Sequence, residues 1–356
     1  MKNQQWLLIT VAALIIFAGC AERNTPLVST EDYAFKLVSQ TQTSGWAVDI
    51  AIAGDSAYVA EQEGGVTIWD ISNPENLKIK DTLSTSGNAK MIEFDPITNL
   101  FFVNTSDNLG GIEFISYVDH HGIHEPKRSF GQVGSGTMYG MAYRQVSPDT
   151  VIVTGIDATD GLFIRTVYWD TQFNEWQPGY GSSWDVISLD YGKMRGLYYD
   201  NDRIYVANNQ MGIAIINMNY GDETGGFDLT LLGSIDTPGA ARAVGVNDEK
   251  THVIVADWES GLVIIDVTDP ANPEIASTIL PEGVRRAIKL VVRNNVAYFL
   301  DQYDGMFAVD VNDPINPVLI GKYRTPEPTS IEVTDDYIFV TDENLGIIVL
   351  EWRNQP

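Results

Sequence analysis

The amino-acid sequence predicts an all-β fold made of seven repeats, on the basis of two observations. Seven glycines recur at spacings of 41 to 51 residues, and each is followed by a short run that is mostly apolar. A polar residue stands five positions after each of these glycines. Because a period of roughly 40–50 residues is typical of four-stranded propeller blades, we expect a seven-bladed β-propeller. The glycines are Gly65, Gly111, Gly161, Gly212, Gly261, Gly305 and Gly346.

The apolar run after each glycine predicts a strand that is buried on both faces. Residues 262–265 read Leu-Val-Ile-Ile, and residues 347–350 read Ile-Ile-Val-Leu. A strand between two packed layers reads as a continuous apolar run, as expected for the middle strands of a blade. The polar residue at the end of each run is expected to accept a hydrogen bond from the following turn. These residues are Asp70, Ser116, Thr166, Asn217, Asp266, Asp310 and Glu351.

Three of the repeats share a longer motif that ends in a proline turn. Residues 261–273 read Gly-Leu-Val-Ile-Ile-Asp-Val-Thr-Asp-Pro-Ala-Asn-Pro, residues 305–317 match them closely, and residues 65–74 are a third copy. This motif resembles the LVIVD repeat of bacterial secreted and surface proteins. The resemblance implies a β-propeller and implies no particular reaction. The repeats in the middle of the sequence depart from the motif, with longer loops and no Asp-Pro turn.

The two ends of the sequence predict how the ring closes. After Gly346 only one strand remains, so the last blade lacks its fourth strand. Residues 33–43 are strand-like and match the fourth strand of the preceding repeat, residues 317–326. We expect the N-terminal segment to complete the last blade, because this removes two open sheet edges. The propeller is then expected to span residues 33–356.

The first residues predict an export signal that precedes the fold. Lys2 gives a positive start, and residues 6–18 are apolar apart from Thr10. This run is shorter than the roughly 20 residues that span a bilayer, and it fits the hydrophobic region of a signal peptide. Residues 17–20 read Phe-Ala-Gly-Cys and resemble the lipobox of bacterial lipoproteins. An ordinary signal peptide with an incidental cysteine is the alternative.

The lipobox resemblance implies a membrane address. Residues 1–19 would be a lipoprotein signal peptide and residues 20–32 a lipidated tether, with Cys20 carrying acyl chains such as palmitate. Two or more acyl chains give stable anchoring, whereas one chain is marginal. Ala21, rather than Asp, follows the cysteine, which in lipoproteins points to the outer membrane. We therefore expect a cell-envelope protein that faces the periplasm or the cell surface.

The composition excludes several partners and site types. The chain has 48 acidic and 22 basic residues, for a formal net charge of −26. A nucleic-acid partner is not expected, because binding phosphates needs clustered Lys and Arg. Docking of the folded body on anionic lipid is not expected for the same reason. Cys20 is the only cysteine, so an internal disulfide and cysteine-based metal clusters are excluded. We expect a monomer.

Against this acidic background, the residues that lead into the first strand of each repeat are basic or aromatic in six of seven cases. In propellers these positions usually share one face around the central channel. The planar guanidinium group of arginine bonds a carboxylate or sulfate bidentately, so the pattern predicts a site for a small anionic or protein ligand on this face. These residues are Trp46, Lys90, Tyr139, Arg195, Arg242, Arg286 and Thr329.

Two alternatives for this face remain open at the level of the sequence. The residues that begin the loops between second and third strands are mostly carboxylates, and they would instead pair with the arginines and join the blades. The other alternative is a metal-assisted hydrolase or lactonase that uses channel carboxylates such as Asp49, Glu93 and Glu332, although no catalytic signature is present. The loop residues are Glu61, Asn208, Asp257, Asp301 and Asp342.

Weaker candidates are an aromatic rim and three metal sites. Trp46, Trp258 and Tyr303 would form a rim for a sugar or a peptide, or would pack between blades. A transition metal would use the histidine cluster, whose His-Xaa₂-His spacing permits it, although a solvated outer loop is the alternative. Paired aspartates would offer oxygens to calcium, but neither pair makes a complete calcium loop, so we expect no required cofactor. The residues are His120, His121 and His124 for the cluster, and Asp157 with Asp160 and Asp301 with Asp304 for the pairs.

Overall fold

The structure is a computed structural model that describes residues 34–105, 111–116, 127–129, 138–157, 161–179, 194–220 and 227–353. Within these ranges the regular secondary structure consists of 28 β-strands, which pair into seven four-stranded antiparallel sheets. No helical segment in the described ranges has the length and hydropathy needed to cross a bilayer. The all-β prediction is confirmed.

Each sheet is one blade, and its strands follow one another in the sequence except at the closing blade. Blade 1 contains β2 (Asp49–Ala53), β3 (Ser56–Ala60), β4 (Val66–Asp70) and β5 (Lys78–Leu83). Blade 2 contains β6 (Ala89–Asp95), β7 (Leu100–Thr105), β8 (Gly111–Ser116) and β9 (Lys127–Ser129). Blade 3 contains β10 (Met138–Ser147), β11 (Thr150–Asp157), β12 (Gly161–Asp170) and β13 (Glu175–Pro178).

The remaining blades are built in the same order. Blade 4 contains β14 (Gly196–Asp200), β15 (Arg203–Ala207), β16 (Ile213–Tyr220) and β17 (Phe227–Ile235). Blade 5 contains β18 (Ala243–Val246), β19 (His252–Ala256), β20 (Leu262–Asp266) and β21 (Glu274–Ile279). Blade 6 contains β22 (Ala287–Arg293), β23 (Val296–Asp301), β24 (Gly305–Asp310) and β25 (Val318–Tyr323). Blade 7 contains β26 (Pro328–Val333), β27 (Ile338–Asp342), β28 (Gly346–Trp352) and β1 (Phe35–Thr41).

The first strand of each blade packs against the first strand of the next blade, and the contacts continue from β26 of blade 7 to β2 of blade 1. The blades therefore form a closed ring, and their first strands surround a central channel. This arrangement is a β-propeller, as the sequence predicts.

The ring closes through strand β1. Its neighbour in the sheet is β28, with Phe35 opposite Trp352 and Thr41 opposite Ile347. The Phe35 side chain is buried, and its ring centroid lies 4.3 Å from that of Trp352. The prediction that an N-terminal strand completes the last blade is confirmed.

The apolar core lies between the blades, as the double-sided burial of the third strands shows. In β20, Leu262 and Ile264 pack toward blade 6, whereas Val263 and Ile265 pack toward blade 4. All four side chains are fully buried. The continuous apolar run in the sequence therefore reflects a strand with a neighbouring sheet on each face.

The glycine and the polar residue that frame this strand have the expected roles. Gly261 has φ of +76°, and a Cβ atom there would collide with the carbonyl oxygen of Ile279. At the other end, Asp266 accepts a hydrogen bond from the backbone N–H of Thr268 at 2.9 Å. Asp70 and Asp310 accept equivalent bonds from the residues two positions later. The turn prediction is confirmed in these three blades.

Candidate functional site

The central channel contains a cavity of about 510 Å³ that is lined by residues from all seven blades. One end of it is formed by the residues that lead into the first strands. Five of the seven predicted residues line the cavity, whereas Trp46 and Arg286 are not among the described residues that do so. The five are Lys90, Tyr139, Arg195, Arg242 and Thr329.

The two exceptions are corrections to the register expected from the sequence. The backbone N–H groups of Val48, Arg195 and Arg242 each bond the carbonyl oxygen of the last residue in the second strand of their own blade. The equivalent position in blade 1 is therefore Val48, two residues after Trp46. In blade 6 it is Ile288, which lies in a β-bulge like Lys90 and Thr329. Val48 and Ile288 both line the cavity.

Three arginines converge at this end, and each is held against an aromatic ring. The guanidinium carbon of Arg195 lies 4.1 Å from the ring centroid of Tyr139, and that of Arg242 lies 3.9 Å from Trp258. Arg286 lies 5.2 Å from the same Trp258 ring and is a charged neighbour of Arg242. Such cation–π contacts hold each guanidinium plane while leaving its N–H edges free to bond. We call Lys90, Arg195, Arg242 and Arg286 the cationic mouth.

Arg286 also joins the aromatic rim that the sequence predicts. Its Nη1 atom donates a hydrogen bond of 2.7 Å to the hydroxyl oxygen of Tyr303, a residue that is 45% exposed. Trp258 bridges to the next blade by backbone hydrogen bonding with Ala287. Trp46 is 59% exposed. The structure thus brings Trp258 and Tyr303 to the arginines.

The cationic mouth has no counterions among the described residues. None of its four side chains forms an ion pair there. The Nε atoms of Arg195 and Arg242 are buried without a hydrogen-bond partner. Burial, and then the positive charges of Arg195 and Arg286, lower the pKa of Arg242. An anion placed here would relieve both the desolvation and the mutual repulsion of the arginines.

The loop carboxylates do not pair with these arginines. Asp257 accepts hydrogen bonds from the Thr237 hydroxyl and the Gly239 N–H, both at 2.7 Å. Asp301 likewise accepts from the backbone N–H groups of Arg285 and Arg286. Glu61 and Asp342 bond the loops before their own blades in the same way. These carboxylates do join consecutive blades, but through backbone and hydroxyl groups, so the predicted pairing with guanidinium groups is wrong.

A second charged level lies deeper in the same cavity. It contains Asp49, Lys289, Glu93 and Glu332, which all line the cavity wall. Lys289 Nζ lies 3.1 Å from Asp49, and the same carboxylate accepts a hydrogen bond from the hydroxyl of Ser330. The sequence reasoning identified the three acids but missed Lys289, which stands immediately after the bulge in β22. We call these four residues the acidic girdle.

Two carboxyl groups of the girdle have raised pKa values. Desolvation, together with the charges of Asp49 and Glu332, raises the pKa of Glu93 to about 8. Desolvation is also the main cause that raises the pKa of Glu332 to about 7, against the opposing effect of Lys289. Desolvation lowers the pKa of Lys289, but the attraction of the neighbouring carboxylates outweighs it and raises that pKa. Glu93 and Glu332 therefore ionise readily when a positive charge approaches.

The metal hypotheses find no support in the part of the chain that the structure describes. There, no group of three or more His, Cys, Asp or Glu side chains is arranged to hold a metal ion. Asp304, a member of one candidate calcium pair, forms ion pairs with Lys322 at 3.3 Å and Arg324 at 3.0 Å. The residues His120, His121, His124, Asp160 and Cys20 lie outside the described residues, as does the side chain of Asp157.

Comparison with protein families matches the LVIVD repeat at residues 44–85, 238–280 and 284–325. Three segments of the chain are thus similar to the LVIVD repeat. They correspond to blades 1, 5 and 6, the blades with the proline turn, and the predicted resemblance is confirmed. The second and third LVIVD segments supply Arg242, Trp258 and Arg286 to the cationic mouth. No curated protein has significant sequence similarity to the chain.

Comparison with solved structures supports the architecture. The crystal structure of the computationally designed Ika8 protein superposes with a TM-score of 0.57 and covers 89% of this chain and 99% of its own. The two sequences are 10% identical. A likeness at this level of identity bears on the fold alone.

Proposed function

We propose that this protein is a binding module that holds a small anionic ligand at the cationic mouth of its propeller channel. The observation that carries the proposal is the convergence of Arg195, Arg242 and Arg286 without a counterion among the described residues. This cluster stands on a chain whose formal net charge is −26. An acidic chain that gathers arginines at one end of a cavity is suited to bind a negative group there.

The chemistry of the mouth favours a carboxylate or a sulfate-like group. Arginine presents its N–H donors in a planar fork that matches two oxygens of such an anion. The aromatic rings of Tyr139 and Trp258 contact the guanidinium groups of Arg195 and Arg242. Lys90 is exposed at the same end and adds a further positive charge.

We further propose that the module works in the bacterial cell envelope. The support is the Phe-Ala-Gly-Cys sequence at residues 17–20, which resembles a lipobox. A diacylglycerol on Cys20 would tether the propeller to the membrane through residues 20–32. Ala21 favours the outer membrane as the address.

A metal-assisted hydrolase or lactonase is the second candidate. It is favoured by one observation, that Asp49, Glu93 and Glu332 all line the channel, although the described residues hold no group of three such side chains arranged around a metal ion. The raised pKa of Glu93 suits a general acid.

Calorimetric titration with sulfate and with the monocarboxylate hexanoate tests the proposed binding. Arg242→Gln is expected to weaken binding by about ten- to a hundredfold, because one charge-assisted bidentate contact is lost. Arg144→Gln is the matched control, since Arg144 pairs with Asp202 and does not line the cavity. Equal affinities in wild type and Arg242→Gln would contradict the proposal. Turnover of a lactone by the wild type with added divalent metal would favour the second candidate.

A further inference from the structure

We propose that the ligand of the channel is zwitterionic, with its anionic group at the cationic mouth and a cationic group, such as a primary ammonium, at the acidic girdle. This inference rests on the proposed anion site and specifies the class of molecule that fills it. It requires that the two charged levels share one cavity, lie at different depths and remain unpaired with each other.

The two levels share one cavity. Lys90 and Glu93 both lie on β6 and both line the cavity wall, as do Arg195 and Arg242 at the leading ends of β14 and β18. Lys90 lies in a β-bulge, which shifts the alternation of side chains along the strand. For this reason two residues three positions apart both face the channel.

The two levels lie at different depths and on different sides. Glu93 follows Lys90 by three residues along β6, and Glu332 follows Thr329 by the same number along β26. Three residues span at most about 10 Å of extended strand. Arg195 and Arg242 belong to blades 4 and 5, whereas Glu93 and Glu332 belong to blades 2 and 7. A ligand that contacts both therefore runs obliquely down the channel, with its charged groups separated by several bonds.

The opposite charges do not neutralise one another within the described residues. Lys289 forms its ion pair with Asp49, and no described cation forms an ion pair with Glu93 or Glu332. Lys289 acts on both glutamates, and Arg293 on Glu332, only at longer range. The mouth is likewise without carboxylate partners, and two of its Nε atoms are buried and unbonded. A dicarboxylate bound at the mouth would place its second negative group against Glu93 and Glu332. A monocarboxylate without an ammonium group would leave these two glutamates without a cationic partner. A molecule with one charge of each sign satisfies both levels.

Proton release is a consequence of this arrangement. The charged or titratable groups that face Glu93 are Asp49 from β2, Tyr143 from β10, Lys289 from β22 and Glu332 from β26. Glu332 in turn faces Asp49, Lys289 and Arg293. Burial keeps Tyr143 neutral by raising its pKa further. With the pKa of Glu93 near 8 and that of Glu332 near 7, an arriving ammonium group displaces protons that these carboxyl groups hold. Affinity for a zwitterion should therefore rise with pH across this range.

The experiment compares ε-aminohexanoate with hexanoate, which share a carboxylate and an alkyl chain and differ in the ammonium group. At about pH 8 the amino compound is expected to bind at least about tenfold more tightly, with this advantage shrinking toward about pH 6 as the two glutamates become protonated. The ammonium group of the ligand keeps its proton throughout this range. Titration in two buffers of different ionisation enthalpy measures the protons released.

Variants separate this inference from the anion site on which it rests. Glu93→Gln and Glu332→Gln are expected to abolish the advantage of ε-aminohexanoate and to leave sulfate binding unchanged, whereas Glu75→Gln, an exposed control, changes neither. If sulfate binds through Arg242 but ε-aminohexanoate binds no more tightly than hexanoate, the proposal of a zwitterionic ligand is wrong and the proposal of an anion site stands. If neither sulfate nor the two carboxylates bind, the proposed function itself fails.

Discussion

At the scale of single residues, Asp301 links the stability of the fold to the position of the cationic mouth. Its side chain is fully buried and accepts hydrogen bonds from the backbone N–H groups of Arg285, Arg286, Tyr303 and Asp304. Four donors share one carboxylate, so the loop before blade 6 and the loop after β23 are fixed to the same point. The backbone that carries Arg286 is therefore placed by a residue that never contacts the cavity.

Asp301→Ala is expected to lower the free energy of unfolding by about 3 kcal/mol, because buried N–H groups lose a charged acceptor. Asp313→Ala in the same blade is the control, since Asp313 accepts the Ile315 N–H in an exposed turn and its loss should remove about 1 kcal/mol or less. Urea denaturation of the three proteins measures both differences. Equal losses in the two variants would show that Asp301 is not the anchor described.

The sequence identifies the residue types of the site better than their register. The acceptor role of Asp266 and the basic character of Arg195 and Arg242 follow from spacing alone. The sequence-based alignment of the blades is wrong by two residues at Trp46 and Arg286. The sequence does not indicate the lengths of the loops before blades 1 and 6 or the bulge in β22, and these features determine the alignment. Lys289 was missed for the same reason. Pairing geometry, which decides which side chain faces the channel, requires the folded strands.

At the scale of elements, strand β1 holds the ring closed. It covers the edge of β28, and Phe35 packs into the core shared by blades 6 and 7. Without it, β28 would become an open edge with unpaired backbone groups. The sequence predicts this pairing because the last repeat is one strand short, an argument from counting that needs no side-chain geometry.

Deletion of residues 33–43 is therefore expected to abolish cooperative unfolding and to expose apolar surface. A circular permutant that carries the same residues after the C-terminus through a flexible linker should recover the wild-type transition, because β1 can then still pair with β28. Denaturation followed by tryptophan fluorescence compares the three chains. An unchanged transition in the deletion variant would show that β1 is dispensable for closure.

At the scale of the whole molecule, the uneven distribution of charge carries the functional argument. The formal charge of −26 identifies no ligand. Only the folded ring shows that Arg195 of blade 4 and Arg242 of blade 5 line one channel, with Arg286 of blade 6 beside Arg242. The ring also places the acids of blades 7, 1 and 2 at another depth. Repeat spacing predicts the ring. The placement of arginines and acidic residues on opposite sides of the ring depends on the direction of the side chains, which the spacing of the repeats does not determine.

The proposed membrane anchor also concerns the whole molecule, because it would determine the compartment in which the channel is exposed. Cys20→Ala is expected to move the protein from the membrane fraction to the soluble fraction and to abolish palmitate labelling, since an acyl chain on Cys20 would be the only anchor. Ser29→Ala, in the same tether, should leave both unchanged. The unfolding transition of the propeller should be the same in both variants, because Cys20 precedes β1. Continued membrane association of Cys20→Ala would contradict the lipidated tether, while sulfate binding by the same variant would leave the channel site intact.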